Sequence, residues 1–229
     1  NKKWYRYHQI FKDFLQNKLL EEDPARFVHL HFEVGSLYKK NQKWNEAITH
    51  YSTAKKYDEA VRIIKEVGAD FFKSGKWTTI SKWLEMLPPA IRKSDPELVI
   101  LDAQTLTHLG QTDEAVHILT KLISGFSNEK DWLLNARALN WRSAAFRLNG
   151  YFREARDDIG TAIRLLEQNQ GPPELLGDVH RRLGDIHAEQ FRRSLILFQQ
   201  TNSRADIVPS FPEVTIQAKS STAPVQCSC

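Results

Sequence analysis

Cysteine is almost absent from this sequence of 229 residues, and its scarcity excludes two kinds of structure. The two cysteines, Cys227 and Cys229, lie at the C-terminus with one residue between them. A pair so close together does not tie distant segments through a disulfide, and it supplies only half of a four-ligand zinc site. The fold must therefore depend on an apolar core, which a chain of this length can build without cross-links.

Long apolar runs are also missing. No segment approaches the roughly 20 apolar residues that span a bilayer. The start of the chain has no signal-peptide core, because polar and charged side chains interrupt it at Tyr5, Arg6, His8, Lys12 and Asp13. With 41% hydrophobic and 26% charged residues, the composition is that of a soluble globular protein. We expect a cytoplasmic protein without a membrane partner.

Charge of one sign is not concentrated anywhere in the chain. The formal net charge is +4 and the isoelectric point is about 9.0. However, lysine pairs such as Lys39-Lys40 and Lys55-Lys56 are separated by acidic residues. A dispersed excess of this kind is typical of proteins that do not bind nucleic acid directly. The isoelectric point alone favours an RNA-binding repeat, for which strong salt dependence of binding would be the evidence.

Groupings of metal-binding or catalytic residues are missing as well. His29 and His31 are two residues apart and would point to different faces of a helix, while His180 and His187 have no acidic third ligand in register. No nucleophile, base and orienting group converge in any motif. We therefore predict no metal site, no cofactor, no catalytic residue and no enzymatic activity.

The sequence does contain an internal repeat. Four stretches place a small residue first and a large one three positions later, then a turn, and then an apolar position twelve residues after the first. The first positions Gly35, Gly68, Ala103 and Ser143 are 33, 35 and 40 residues apart. The four stretches read GSLYKKNQKWNEAITHYSTA, GADFFKSGKWTTISKWLEML, AQTLTHLGQTDEAVHILTKL and SAAFRLNGYFREARDDIGTA.

Each position of this pattern has a packing reason. Two antiparallel helices come close where small side chains face each other, as we expect for Gly35 and Ala47. Asn or Gly at the turn permits the positive φ that ends the first helix. This is the small-large pattern of the tetratricopeptide repeat, a helix-turn-helix unit of about 34 residues. The predicted fold is all-α, a tetratricopeptide-like helical-repeat solenoid, or α-α superhelix.

A fifth unit begins at Leu183-Gly184 but departs from the pattern. Its second helix would run through Leu195 and Phe198, after an interval that is two residues shorter than in the other units. We expect a shortened turn or a shifted register there. After Asn202 the periodicity ends, and a proline-containing, polar sequence predicts a disordered tail.

We predict structural roles for one acidic pair and for five of the six tryptophans. Asp157-Asp158 is expected on an outer helical face, where charge is ordinary. We predict that five tryptophans pack between repeats and do not form a base-stacking platform; these are Trp44, Trp77, Trp83, Trp132 and Trp141.

The opening of the chain carries a family resemblance. The phrase WYRYHQIFKDFL, from Trp4 to Leu15, resembles the end of the winged-helix region in MalT-like regulators, which are LuxR-family signal-transduction ATPases. The tryptophan-leucine-proline ending at Trp83, Leu87 and Pro88 also resembles the start of their repeat region. The resemblance implies that 1–24 ends an upstream winged-helix region, 25–202 forms tetratricopeptide-like repeats and 203–229 is a disordered tail. The start without methionine agrees with a fragment of a longer protein.

Two departures limit what the resemblance implies. The stretch GADFFKSGKW is not a phosphate-binding loop, because six residues separate its glycines and a tryptophan follows the lysine. No helix-turn-helix pattern of the DNA-binding kind follows the repeats. The resemblance therefore implies neither ATP hydrolysis nor DNA binding by this chain. It implies the sensor region, which in the family receives inducers or partner proteins.

A binding surface can be predicted from the position of residues in the repeat. In units of this type, positions two, five, nine and twelve of the first helix line the concave side of the array. Five of the sixteen residues at these positions are Lys or Arg, and one is Glu. The predicted binding residues are Lys39, Arg62, Lys65, Gln104, Arg137, Asn140 and Arg147.

We expect this surface to accept an anionic peptide terminus or a small anionic ligand. The predicted clamps are Arg62, Lys65, Arg137 and Arg147, since guanidinium groups pair well with carboxylates. A solvated basic face without a ligand is the alternative.

Two functions remain in competition. The first is the sensor and interaction region of a bacterial ATP-dependent LuxR-type regulator, which binds a protein or small-molecule inducer and self-associates through its repeats. The second is a free-standing tetratricopeptide scaffold that joins protein partners without a link to transcription.

Overall fold

The computed structural model describes residues 9–126 and 129–205, and every regular element in these ranges is helical. Eleven α-helices occur there, with one short 3-10 helix at Glu129–Asp131. The helices are α1 (Gln9–Glu22), α2 (Pro24–Lys40), α3 (Trp44–Thr53), α4 (Tyr57–Lys73), α5 (Trp77–Glu85), α6 (Pro89–Ser94), α7 (Pro96–His108), α8 (Thr112–Gly125), α9 (Trp132–Asn149), α10 (Phe152–Gln168) and α11 (Pro173–Ala205). The predicted all-α helical-repeat fold is confirmed. The first three residues of the predicted tail, 203–205, belong to α11, and the rest of it lies outside the described residues.

Four helical hairpins correspond to the four sequence repeats. They are α2–α3, α4–α5, α7–α8 and α9–α10. The turns of the last three contain a glycine in the left-handed region, with φ of 74° at Gly75, 82° at Gly110 and 85° at Gly150. In the first hairpin Gln42 takes this role with a φ of 55°. The turns therefore fall where the sequence predicts them.

The small positions of the repeat allow close approach between helices. A Cβ atom added to Gly35 would lie 3.0 Å from the ring of Tyr51 on the partner helix α3. One added to Gly68 would lie 3.0 Å from Leu101 on α7, in the following unit. The same residue type thus sets the packing within one unit and between two units.

The apolar core is a series of clusters that connect neighbouring hairpins. The first contains Tyr51, Ile63 and Trp83 from α3, α4 and α5, and it reaches the start of α7. The second joins α7, α8 and α9, and the third joins α9 and α10 to the first part of α11. Core residues therefore contact mainly the adjacent unit, as expected for a repeat array.

The fifth unit differs from the prediction. The expected turn between Gly184 and Ser194 does not form, and α11 continues without interruption from Pro173 to Ala205. The intervening residues HAEQF contain no Gly, Asn or Pro, and Ala, Glu and Gln favour the helix. The prediction of a second, separate helix is wrong for this reason.

Two compact units are distinguished along the chain, at residues 1–190 and 191–229. The described part of the second unit is the final segment of α11, where Phe191 is 71% exposed. In α1, near the start of the first unit, the apolar side chains of Ile10 and Phe14 are also exposed. Within the described residues, no helix combines the length and the apolar character that crossing a membrane requires.

Candidate functional site

A cavity of about 1100 Å³ opens in the first unit, between the first helices of successive hairpins. Its walls come mainly from α4, α7, α9 and the first part of α11, with Trp77 at the start of α5. Repetition of the hairpin places these helices side by side, so that the same face of each one turns toward the cavity. The volume lies slightly above the range for small-molecule sites, which is roughly 300–1,000 Å³.

Five of the seven predicted binding residues line this cavity. They are Lys65, Gln104, Arg137, Asn140 and Arg147. The other two do not line it, and both pair with one acidic residue of α4: Lys39 Nζ lies 3.3 Å from Glu59 Oε2, and Arg62 Nη1 lies 2.8 Å from Glu59 Oε1. The structure therefore brings together the residues of three units and leaves the first unit apart.

Two of the predicted clamps are already paired with carboxylates. Lys65 Nζ lies 2.6 Å from Asp95 Oδ2 and 2.9 Å from Glu97 Oε2. Burial opposes the charge of Lys65, but its hydrogen bonds to these two carboxylates outweigh burial and raise the pKa of the lysine. Arg137 Nη1 lies 4.0 Å from Glu97 Oε1. The charge of both cations is largely compensated within the protein.

Arg182 of α11 extends over the floor of the cavity. Its Nε donates a hydrogen bond of 2.7 Å to Oδ1 of the buried Asn140, and its guanidinium lies 4.7 Å from the centre of the Trp141 ring. Burial is the main cause that lowers the pKa of Arg182 to about 10; the charges of Arg181 and Arg147 act in the same direction, and those of Asp178 and Asp185 act against them. The side chain is nevertheless protonated at neutral pH.

Arg147 of α9 differs from the other predicted clamps. It lines the cavity, and its Nε is buried without a hydrogen-bond partner in the described part of the chain. No salt bridge to a carboxylate is formed by Arg147 or by Arg182 among the described residues. An uncompensated guanidinium is a strong donor for a carboxylate or phosphate.

One wall of the cavity is aromatic. Trp77 and His108 stack with ring centres 4.4 Å apart and planes inclined by 28°. Phe72 stands edge-on to His108 at 4.9 Å and to Trp141 at 5.3 Å. Partial burial, together with the positive charge of Arg182, lowers the pKa of His108. The histidine is therefore neutral at pH 7 and acts as part of the aromatic wall.

Sequence reasoning placed Phe72 on the concave side, at position twelve, but it assigned Trp77 and Trp141 to packing between repeats and missed His108 and the whole contribution of α11. Applying positions two, five and nine to the irregular fifth unit would have identified Asp178, Arg181 and Asp185, all of which line the cavity. Trp141 and Arg182 occupy position six, on the next row of the helix surface. The lining stripe is thus wider than the predicted four positions.

The buried carboxylate of Asp158 corrects another expectation. Asp158 is only 7% exposed and does not lie on an outer face. Both of its oxygens accept hydrogen bonds of 2.7 Å from Arg142 on the preceding helix. The pair has a structural role outside the cavity. Within the described residues, no group of three or more His, Cys, Asp and Glu side chains is arranged to hold a metal ion.

Comparison with known proteins gives partial similarities. No protein-family model matches the chain. It is 27% identical over 126 residues to the HTH-type transcriptional regulator MalT of Vibrio campbellii, which covers 55% of the chain and 14% of that protein. The MalT regulator of Vibrio parahaemolyticus is 26% identical over 100 residues, or 44% of the chain and 11% of that protein.

A different kind of protein shares a similar segment. The serine/threonine-protein kinase PknK of Mycobacterium tuberculosis is 27% identical over 88 residues, which is 38% of the chain and 8% of the kinase. The chain thus aligns with only a small part of each of these curated relatives. It is distantly similar to a region of MalT regulators and has a regulator-like helical architecture.

Proposed function

We propose that this chain is the sensor and interaction region of a bacterial ATP-dependent LuxR-type transcriptional regulator, and that it binds an inducer or a partner protein in the cavity described above. The observation that carries the proposal is the partial similarity to two MalT regulators in a chain built of helical repeats around an open cavity. We assign no catalytic activity and no cofactor to this region.

The finer organisation belongs to the same proposal. Residues 25–202 would be tetratricopeptide-like repeats, 1–24 the end of a winged-helix region and 203–229 a tail. Asp23 caps α2 by accepting a hydrogen bond from the backbone N–H of Arg26, which gives the array a defined start. The proposed binding residues are those that line the cavity: Lys65, Gln104, Arg137, Asn140 and Arg147.

The proposal has a direct genetic test. We would sequence the DNA on both sides of the coding region and expect a phosphate-binding loop upstream and a DNA-binding helix-turn-helix downstream. In the whole gene, Gln104→Ala together with Arg147→Ala should abolish the response of a target promoter to its inducing condition, while Arg62→Ala leaves it intact. Flanking DNA without either module would overturn the regulator assignment.

A free-standing scaffold is the second candidate, since the similarity to PknK means that such a segment is not confined to transcriptional regulators. A segment that aligns with proteins named as regulators and with one named as a kinase is compatible with a general interaction module. A scaffold would bind its protein partner equally well in the presence and absence of any small molecule. Affinity chromatography with the whole protein, repeated with the Arg147→Ala variant, separates this function from a sensor.

A further inference from the structure

The cations of the cavity fall into two groups. Lys65 and Arg137 are paired with Glu97, and Arg181 lies 3.2 Å from Asp178 and 3.5 Å from Asp185. Arg147, Arg182 and Lys73, which also lines the cavity, form no ion pair in the part of the chain that the structure describes. The two arginines are half-buried, whereas Lys73 is exposed. Of the four cations that the sequence predicts as clamps, only Arg147 keeps its charge uncompensated.

Arg147 and Arg182 lie on two different helices, α9 and α11. Both line the cavity, and the positive charge of Arg147 is one of the causes, after burial and Arg181, that lower the pKa of Arg182. Asn140 and the ring of Trp141 hold Arg182 in position through its Nε and its flat face. An anion placed against the two guanidiniums would offset their mutual repulsion and accept hydrogen bonds from their terminal N–H groups.

The aromatic wall lies beside this pair. Trp141 contacts Arg182, and it also stands 5.9 Å from His108, which in turn stacks on Trp77. Aromatic rings offer faces and edges on which a second planar ring can stack. The cavity is large enough to hold a ring and its anionic group together with bridging water.

We propose that the cavity binds a small molecule in which a carboxylate or phosphate is attached to a planar ring, with the anion between Arg147 and Arg182 and the ring against the wall of Phe72, Trp77, His108 and Trp141. This inference deepens the proposed sensing function, since it names the class of ligand for the same cavity. The clamp is thus Arg147 with Arg182, in place of the four cations that the sequence predicts.

Calorimetric titration of the purified chain tests the chemistry directly. The two probes are adenosine monophosphate for a ring phosphate and indole-3-acetate for a ring carboxylate. Adenosine, which has no anionic group, and inorganic phosphate, which has no ring, are the controls. We expect at least one probe to bind with a Kd below about 1 mM, and both controls to bind about tenfold more weakly or not at all. The probe that binds more tightly identifies the anion.

Three variants locate the binding. Arg147→Met and Arg182→Met should each weaken the binding probe about tenfold or more, because one of the two charge-assisted contacts is lost. Arg62→Met is the matched control, since it removes an arginine that lies outside the cavity and pairs with Glu59, and it should bind like the wild type. If Arg182→Met loses helicity by circular dichroism, Arg147→Met decides.

Three results would overturn the inference: no binding of either probe, equal binding of inorganic phosphate, or equal weakening in Arg62→Met and Arg147→Met. None of these results bears on the flanking DNA, so a failure of this inference is distinguishable from a failure of the regulator assignment.

Discussion

Single residues in the left-handed region end the first helix of each hairpin, and they differ in how well they suit it. Gly110 adopts a φ of 82° without strain, whereas Gln42 adopts 55° with a side chain that clashes with its own backbone. No atom lies within 4 Å of the place where a Cβ on Gly110 would sit. The backbone conformation alone therefore decides the effect of a substitution there.

We expect opposite effects on stability at these two turns. Gly110→Ala should lower the free energy of unfolding by about 1 kcal/mol or more, and Gln42→Gly should raise it by about 0.5 kcal/mol. Urea denaturation followed by circular dichroism measures both. Gly160→Ala, inside α10 with open space around it, is the control and should stabilise the chain by about 0.5 kcal/mol. A loss of stability in Gln42→Gly would contradict the explanation.

The buried ion pair of Arg142 and Asp158 gives a second prediction for single residues. Asp158→Ala should lower the free energy of unfolding by about 3 kcal/mol, because it leaves the guanidinium of Arg142 partly buried without its two hydrogen bonds. Asp157→Ala removes the neighbouring exposed carboxylate and should change it by less than about 0.5 kcal/mol. Thermal denaturation of the two variants compares them, and equal losses would show that the pair contributes nothing specific.

Neighbouring helices are joined by a pair of histidines that makes the stability depend on pH. Nδ1 of His31 on α2 lies 3.0 Å from Nδ1 of His50 on α3, so only one of the two rings donates a proton. Burial lowers the pKa of both rings, and the charge of Lys12 lowers them further; His31 also lowers that of His50, while Glu46 acts against it. Protonation of the pair therefore opposes the packing of α2 on α3.

The direction of the pH effect follows from these shifts. The folded pKa values lie below the unfolded value of about 6.5, so the unfolded chain binds more protons in between. The stabilisation that the neutral histidine pair provides is fully present above the unfolded pKa of about 6.5, and it is lost as the pH falls through the folded pKa values. In urea denaturation from about pH 7.5 to about pH 5, His50→Gln should show a shallower decline than the wild type. His117→Gln, on the exposed surface of α8, should decline like the wild type; a shallower decline there would argue against the pair.

The elements that the sequence predicts well are those set by local rules. Left-handed turns at Gly75, Gly110 and Gly150 and the small position at Gly35 follow from backbone sterics and helix spacing, which a sequence shows directly. The continuity of α11 follows from local helix propensity too, but the prediction of a fifth repeat unit was given precedence over that propensity. The burial of Asp158 depends on the register between two helices, which no local pattern of residue sizes specifies.

The position of the cavity was predictable from the sequence, but the ion pairs in it were not. The repeat rule places Arg137, Asn140 and Arg147 on the helix face that lines the cavity, because this depends on helix periodicity alone. Whether a cation is paired depends on contacts between helices: Asp95 and Glu97, at the start of α7, contact Lys65 of α4. The contribution of Arg182 depends on the packing of α11 against α9, and the irregular fifth unit conceals it in the sequence.

In the whole first unit, the core is a series of clusters between neighbouring hairpins. We therefore expect each cluster to stabilise mainly the helices that it joins. A repeat array behaves as a sum of units and interfaces, so damage in one cluster affects nearby helices first. Ile63→Ala empties a fully buried site in the first cluster and Ile159→Ala does so in the third, each at a cost of about 3 kcal/mol. The two variants are thus matched in chemistry and differ only in place.

Hydrogen exchange measured by mass spectrometry follows each helix separately. In Ile63→Ala, amides of α3, α4 and α5 should exchange faster than in the wild type, while those of α9 and α10 keep their protection. In Ile159→Ala the order should be reversed, because the damaged cluster joins α9, α10 and α11. If both variants accelerated exchange equally in all of these helices, the unit would unfold as one cooperative body, and α7 and α8 would transmit every local loss to both ends.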